Sequence, residues 1–185
     1  KLFDQTKDVQ KAQGWAPYVI DTNGNGKRDA YVEPNQPTDP TKDRRFQGGS
    51  YGVIVSPVDG SVWQSFPGAI YLSEGNLNGP PGAITRTVLG SNPPQTTLTE
   101  YYEPPFNNAK SPINGYTPRG IDIDRNGVVW TALAGSGHLA SFDRRKCKGP
   151  LNGPTATGQH CVEGWTLHVT PGPKFKGVTD ESNSD

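Results

Sequence analysis

The sequence contains no methionine and only two cysteines in 185 residues. It carries no net charge, because 18 basic residues balance 18 acidic ones. No global field therefore favours nucleic acid or an anionic membrane. No apolar run approaches the ~18 residues that a membrane-spanning helix needs. Hydrophobic residues reach only 31%, which is little for a self-contained core. No segment sustains a 3.6-residue apolar period, so almost no helix is expected. No phosphate-binding loop of the Gly-x-x-x-x-Gly-Lys-Ser/Thr type occurs.

Glycine (23) and proline (18) are plentiful, and they sit between apolar segments anchored by aromatics. That pattern favours a loop-rich all-β protein over a disordered chain. The missing methionine, the start at Lys1 and the lack of a signal-peptide pattern predict a trimmed chain or a piece of a longer product. Cys147 and Cys161 lie 14 apart in one Gly/Pro-rich insertion. An even count in such a loop predicts a disulfide and an oxidising compartment, secreted or periplasmic. Closing this loop is worth ~3 kcal/mol in the chain-entropy model. A zinc site is not expected, since no second Cys pair or His-x-x-x-His accompanies the two.

The most informative stretch occurs twice. Gly52-Val53-Ile54-Val55-Ser56-Pro57-Val58-Asp59-Gly60-Ser61-Val62-Trp63 is echoed by Gly120-Ile121-Asp122-Ile123-Asp124-Arg125-Asn126-Gly127-Val128-Val129-Trp130. Each reads as a strand, a tight turn on Gly60 or Gly127, and a return strand ending on Trp. Val53 and Val55 alternate, as do Ile121 and Ile123, which marks half-buried strands. Gly82–Arg86 then resembles Gly137–Ser141, and Thr99–Pro104 resembles Thr166–Pro171. A repeated four-strand unit of this kind predicts β-propeller blades with Trp63 and Trp130 in equivalent, buried places. The expected layout is an N-terminal segment (1–48), a blade (49–105), a linker (106–117), a second blade (118–173) and a polar tail (174–185). Tyr31-Val32-Glu33-Pro34 resembles Tyr101-Tyr102-Glu103-Pro104 and suggests the outer strand of a preceding blade. Residues 35–48 read as a loop.

Pro118-x-Gly120-Ile121-x-Ile123-Asp124-x-Asn126-Gly127-x-Val129-Trp130, followed by Gly137-x-Leu139-x-x-Phe142-Asp143, resembles the repeat of streptogramin (virginiamycin) B lyase-like propellers. The resemblance covers about 110 residues, and residues 52–63 match it more loosely. The chain as a whole is similar to secreted bacterial proteins grouped by this same repeat. The resemblance implies a seven-bladed propeller, of which this chain holds two clear blades. The remaining blades would come from missing sequence or another chain, because a propeller closes its ring to hide sheet edges. It also implies a metal-dependent carbon–oxygen lyase with His and Glu near a central channel. Those residues do not map here. His138, His160 and His168 are expected to be ordinary surface or loop histidines.

The strongest local motif is Asp21-Thr22-Asn23-Gly24-Asn25-Gly26-Lys27-Arg28-Asp29. It fits the first nine positions of a calcium loop. Asp21, Asn23 and Asn25 would offer side-chain oxygens, Lys27 its carbonyl, and Asp29 a carboxylate. Gly26 permits the sharp turn. Position twelve is Val32 instead of a carboxylate, with Glu33 as the nearest substitute. Asp122 could line a channel or, as expected here, pair with Arg119; Arg144-Arg145-Lys146-x-Lys148 reads as a solvated loop; Tyr101-Tyr102 and Trp15 could stack a sugar or peptide, but packing between blades is the simpler expectation. These features predict an exported, calcium-braced propeller fragment that binds or scaffolds. The alternatives are a lyase-type enzyme with its catalytic residues elsewhere, and a piece of a larger extracellular or periplasmic assembly.

Overall fold

The computed structural model describes residues 2–46, 48–68 and 80–170. The expected tail 174–185 and Pro171 lie outside the described residues, as do residues 69–79. Among the described residues α-helix is confined to three short pieces, α1 (Leu2–Thr6), α2 (Val9–Ala12) and α3 (Pro93–Thr96), with 3-10 turns at Arg144–Lys146 and Val162–Gly164. The rest of the ordered framework is β. Among the described residues no helix is long and apolar enough to cross a membrane.

Two antiparallel four-stranded meanders dominate. The first runs β4 (Gly52–Val55), β5 (Val62–Phe66), β6 (Ala83–Val88), β7 (Leu98–Tyr102). The second runs β8 (Pro118–Ile123), β9 (Val129–Leu133), β10 (His138–Phe142), β11 (Trp165–Val169). Each opens on the expected hairpin. Gly60 and Gly127 take φ values of +72° and +80°, the left-handed backbone that glycine adopts without a steric penalty. The Asp59 carboxylate accepts from the amide and hydroxyl of Ser61 at 3.0 and 2.6 Å. Asp124 accepts from the amides of Asn126 and Val128 at 2.8 and 3.0 Å. Such local bonds are what Asp contributes to a turn.

Trp63 lies opposite Ile54, and Trp130 opposite Asp122. Val55 faces Val62 just as Ile123 faces Val129, so the two Trp residues hold the same place in their hairpins. Across the next ladder Trp63 meets Arg86 and Trp130 meets Ser141, as the sequence echo requires. The fourth strand departs from it. Arg86 faces Glu100 and Ser141 faces Thr166, so Thr166 matches Glu100 and not Thr99. A slip of one residue exchanges the two faces of a strand.

The sheets stack face to back. Trp63, Ile84 and Tyr102 of the first meet Val129, Phe142 and Trp165 of the second in one core. The Tyr102 and Phe142 rings are 4.6 Å apart, and Trp63 stands 6.3 Å from Phe142. β4 packs on β8, so tightly that a Cβ at Gly52 would lie 3.1 Å from Ile121. The Gly127 turn rests against Val58 of the other turn. First strand thus lies on first strand and turn beside turn. Alternate residues of a strand point to opposite faces. Trp63 therefore points at the second sheet and is 3% exposed. Trp130 points away from the first sheet and is only half-buried, stacked on His168 at 5.4 Å. The expectation of two buried tryptophans holds for Trp63 alone.

The valines obey the same rule from the other side. Val53 and Val55 face away from the second sheet and are 64% and 59% exposed. Their ladder equivalents Ile121 and Ile123 face the first sheet and join its core.

The N-terminal segment forms a third, mixed sheet in the order β1 (Val19–Ile20), β3 (Asp43–Arg45), β2 (Tyr31–Val32). β1 is antiparallel to β3 and β2 is parallel to it. The expected loop 35–48 therefore contains a strand, and Tyr31–Val32 is not the outer strand of an antiparallel meander. Tyr18, Phe46, Phe66 and Tyr101 form an aromatic cluster with neighbouring centroids 5.0 to 5.6 Å apart. This cluster fixes the small sheet to the back of the first large one.

Candidate metal centre

The loop 21–29 begins where β1 ends, and its glycines let it turn back on itself. Gly24 and Gly26 have φ values of +76° and +72°. Asp21 is fully buried. Its two carboxylate oxygens accept the amides of Gly24 and Gly26 at 2.7 and 2.8 Å. Asn23 Oδ1 accepts from the Asn25 amide at 3.1 Å, and Asn25 Oδ1 from the Lys27 amide at 2.8 Å. The remaining amide nitrogens turn inward. Asn23 Nδ2 and Asn25 Nδ2 both donate to Asp29 Oδ2, at 2.9 and 2.5 Å. Those two bonds hold the Asp29 carboxyl below the usual carboxylate range. The structure thus brings Asp21, Asn23, Asn25 and Asp29 together. Lys27 is exposed, and its amide closes the turn. Glu33 is exposed, and no hydrogen bond joins its carboxylate to the loop.

A residue absent from the sequence motif joins them. Asp43, the first residue of β3, is fully buried. Its Oδ2 accepts from the Asp29 amide at 2.5 Å. Its Oδ1 has no hydrogen-bond partner. Burial raises the Asp43 carboxyl above its ordinary value, and the charges of Asp21 and Asp29 push the same way. The amides of Asp29 and Thr22 pull it down, the Thr22 amide without a hydrogen bond to Asp43 Oδ1. Asp21, Asp29 and Asp43 act on one another but do not close into a ready cage. Among the described residues no three His, Cys, Asp or Glu side chains group in that way. No ion pair reaches Asp21 or Asp43 among the described residues.

The loop is a junction. The Thr22 hydroxyl donates to the Lys42 carbonyl just before β3. Arg28 Nη1 reaches the Pro94 carbonyl in α3 at 2.5 Å. The Gly153 amide donates to the Asp21 carbonyl at 2.8 Å. Gly153 belongs to the insertion between β10 and β11, which the Cys147–Cys161 disulfide staples as expected. Gln159 of that insertion also bonds both backbone groups of Phe106, at 3.1 and 2.9 Å.

The other sequence candidates scatter. Arg144 is part-exposed and makes a bidentate pair with Glu100 of β7, with both bonds at 2.6 Å. Glu100 also accepts from Arg86 at 3.1 Å and from the Tyr102 hydroxyl at 2.7 Å. This network ties the two sheets together. Arg145 turns to Asp143, as a surface residue. Asp122 caps its neighbour's amide, and Arg119 lies over the Tyr51 ring at 5.3 Å. His138 is buried at the start of β10, contrary to expectation. His160 is partly buried, stacks on Tyr102 at 5.2 Å and accepts from the Gly158 amide through Nδ1. Burial lowers its pKa, which favours the neutral ring. His168 is exposed. Residues 48–52 also carry a Gly-x-Ser-x-Gly spacing. Ser50 is exposed there, and its hydroxyl donates to the Gly52 carbonyl at 3.1 Å. No strand-to-helix elbow presents it, so this is not a nucleophile elbow.

No family model, curated protein or solved structure matches the chain.

Proposed function

We propose that this protein is a calcium-braced binding or scaffolding module built from propeller-type repeats of the streptogramin B lyase-like kind, exported to an oxidising compartment. The observation that carries this is the face-to-back stacking. Two sheets related by a repeated sequence could also pack as a sandwich, with equivalent faces meeting. Here Trp63 and Trp130 lie on the same side of their own sheets, as consecutive propeller blades require. Val53 and Val55 on one side, and Trp130 and Leu139 on the other, are then the faces that neighbouring blades would cover. Further sequence or another chain would supply those blades.

Calcium braces the junction of the small sheet, α3 and the disulfide-stapled insertion. Asp21, Asn23, Asn25, Asp29 and the Lys27 carbonyl are its proposed oxygen ligands. The two amide nitrogens on Asp29 stand where a cation would neutralise that carboxylate. A ligand that binds only the folded form stabilises it. Thermal melting in calcium and in chelator tests the brace. We expect a higher melting temperature in calcium, and a smaller gain in magnesium, which dehydrates reluctantly and demands stricter geometry. Identical melting in all three solutions would remove calcium. Electron microscopy of the native product tests the repeat: a ring-shaped particle is expected, and a two-sheet particle would end the propeller proposal.

A further inference from the structure

We infer that Asp43 is a ligand of the proposed cation site, and that the site is therefore made of two chain segments. This inference rests on the calcium proposal above. Calcium loops of this spacing end on a carboxylate at position twelve, which supplies charge and closes the shell. Here position twelve is Val32, and the adjacent Glu33 is exposed without a bond to the loop. Asp43 lies outside the motif and fills that role by folding. The parallel pairing of β2 with β3 sets Tyr31 beside Asp43, which returns β3 to the end of the loop.

The physical case is the orphaned oxygen. Asp43 is fully buried, one of its oxygens holds the Asp29 amide, and the other has no partner. A buried carboxylate oxygen left unpaired is costly. Two fully buried carboxylates beside a third, with no Lys or Arg among the described residues paired to the buried two, make that cost larger. A divalent cation removes the penalty, because it pairs the orphan and neutralises its neighbours together. On binding, the ion takes the place of the two amide N–H groups on Asp29 Oδ2. Each Asn oxygen has a second lone pair left for it. Asp21, Asp29 and Asp43 would then share the ion's charge.

A two-segment site has a consequence that a single loop lacks. The ion becomes a crosslink from residues 21–29 to β3, and so holds the small sheet on which Tyr18 and Phe46 are mounted. Removing it should loosen that sheet from the back of the first large one.

Calorimetric titration with calcium chloride tests the inference on the intact protein, on Asp43→Asn and on Glu33→Gln. We expect one calcium per chain, binding at least tenfold weaker in Asp43→Asn, and no change in Glu33→Gln. Limited proteolysis should cut residues 34–42 faster in chelator than in calcium, and equally in both for Asp43→Asn. If the unsubstituted protein takes no calcium, the brace and the inference both fall. If it binds and Asp43→Asn binds equally well, Asp43 alone is excluded. If Asp43→Asn does not fold by near-UV circular dichroism, the Asp43 Cγ resonance of the unsubstituted protein decides. A shift on calcium saturation supports ligation, and an unmoved resonance overturns it.

Discussion

The two large sheets share an order, a hairpin and a tryptophan, yet only one of those tryptophans is buried. The first sheet has the second on its front and the small N-terminal sheet on part of its back. The second has the first on its back, and its front carries the half-buried Trp130 and the exposed Leu139. Trp63 packs on Tyr102 and Phe142 and donates to Ser61 Oγ at 3.1 Å. Among the described residues Trp130 stacks on the exposed His168. Sequence equivalence therefore fixes where a side chain points relative to its own sheet. Whether it is buried depends on what the stack places there.

The largest expected effect separates the two rings. Trp63→Ala should cost about 3–5 kcal/mol, as truncation of a buried aromatic does, whereas Trp130→Ala should cost under about 1.5 kcal/mol. Urea denaturation of both variants checks this. Equal losses would mean that the second sheet's front is covered.

The next effect falls on the insertion that only the second sheet carries between its last strands. Replacing Cys147 and Cys161 together with Ser should cost about 3 kcal/mol, because the loop entropy returns to the unfolded chain. Thiol titration of the unsubstituted protein under denaturing, non-reducing conditions should find none.

A pH effect marks the outer end of the first sheet, where the insertion presses Gly158 against Glu103. Burial raises the Glu103 carboxyl from its ordinary 4.5 to about 7, against the pull of the Tyr101 hydroxyl and Arg44. Folding thus favours its protonated form. That contribution is complete below the ordinary value and is lost as pH rises through about 7. Stability should fall by about 2 kcal/mol between pH 4.5 and 8 on this account. Glu103→Gln should flatten that slope, as denaturation across the range would show.

The smallest effect contrasts equivalent strand positions. Val55→Thr should change stability by less than about 0.5 kcal/mol, since Val55 is exposed, while Ile123→Thr should cost about 1–3 kcal/mol. Similar values would place a partner on the back of β4.

The repeat was legible because its punctuation is local. Gly60 and Gly127 must take positive φ, and Asp59 and Asp124 bond within their own turns. Faces were not legible. A period of two says that Val53 and Val55 share a side without saying which side is covered. The fourth-strand register was misread because matching Thr99 to Thr166 looks as good in sequence as the true pair Glu100 and Thr166. Asp43-Arg44-Arg45 gave no strand signal, as three charged residues have low β propensity. The loop ligands Asp21 to Asp29 were legible from their spacing. Asp43 was not, because only the pairing of β2 with β3 brings it to them.

Fluorine NMR of the protein labelled with 5-fluorotryptophan tests the stacking most directly. Each resonance can be assigned by single Trp substitution, and its shift between water and deuterium oxide reports solvent contact. We expect Trp63 to show almost no solvent shift and Trp130 a clear one. Equal shifts for the two equivalent rings would contradict the face-to-back arrangement.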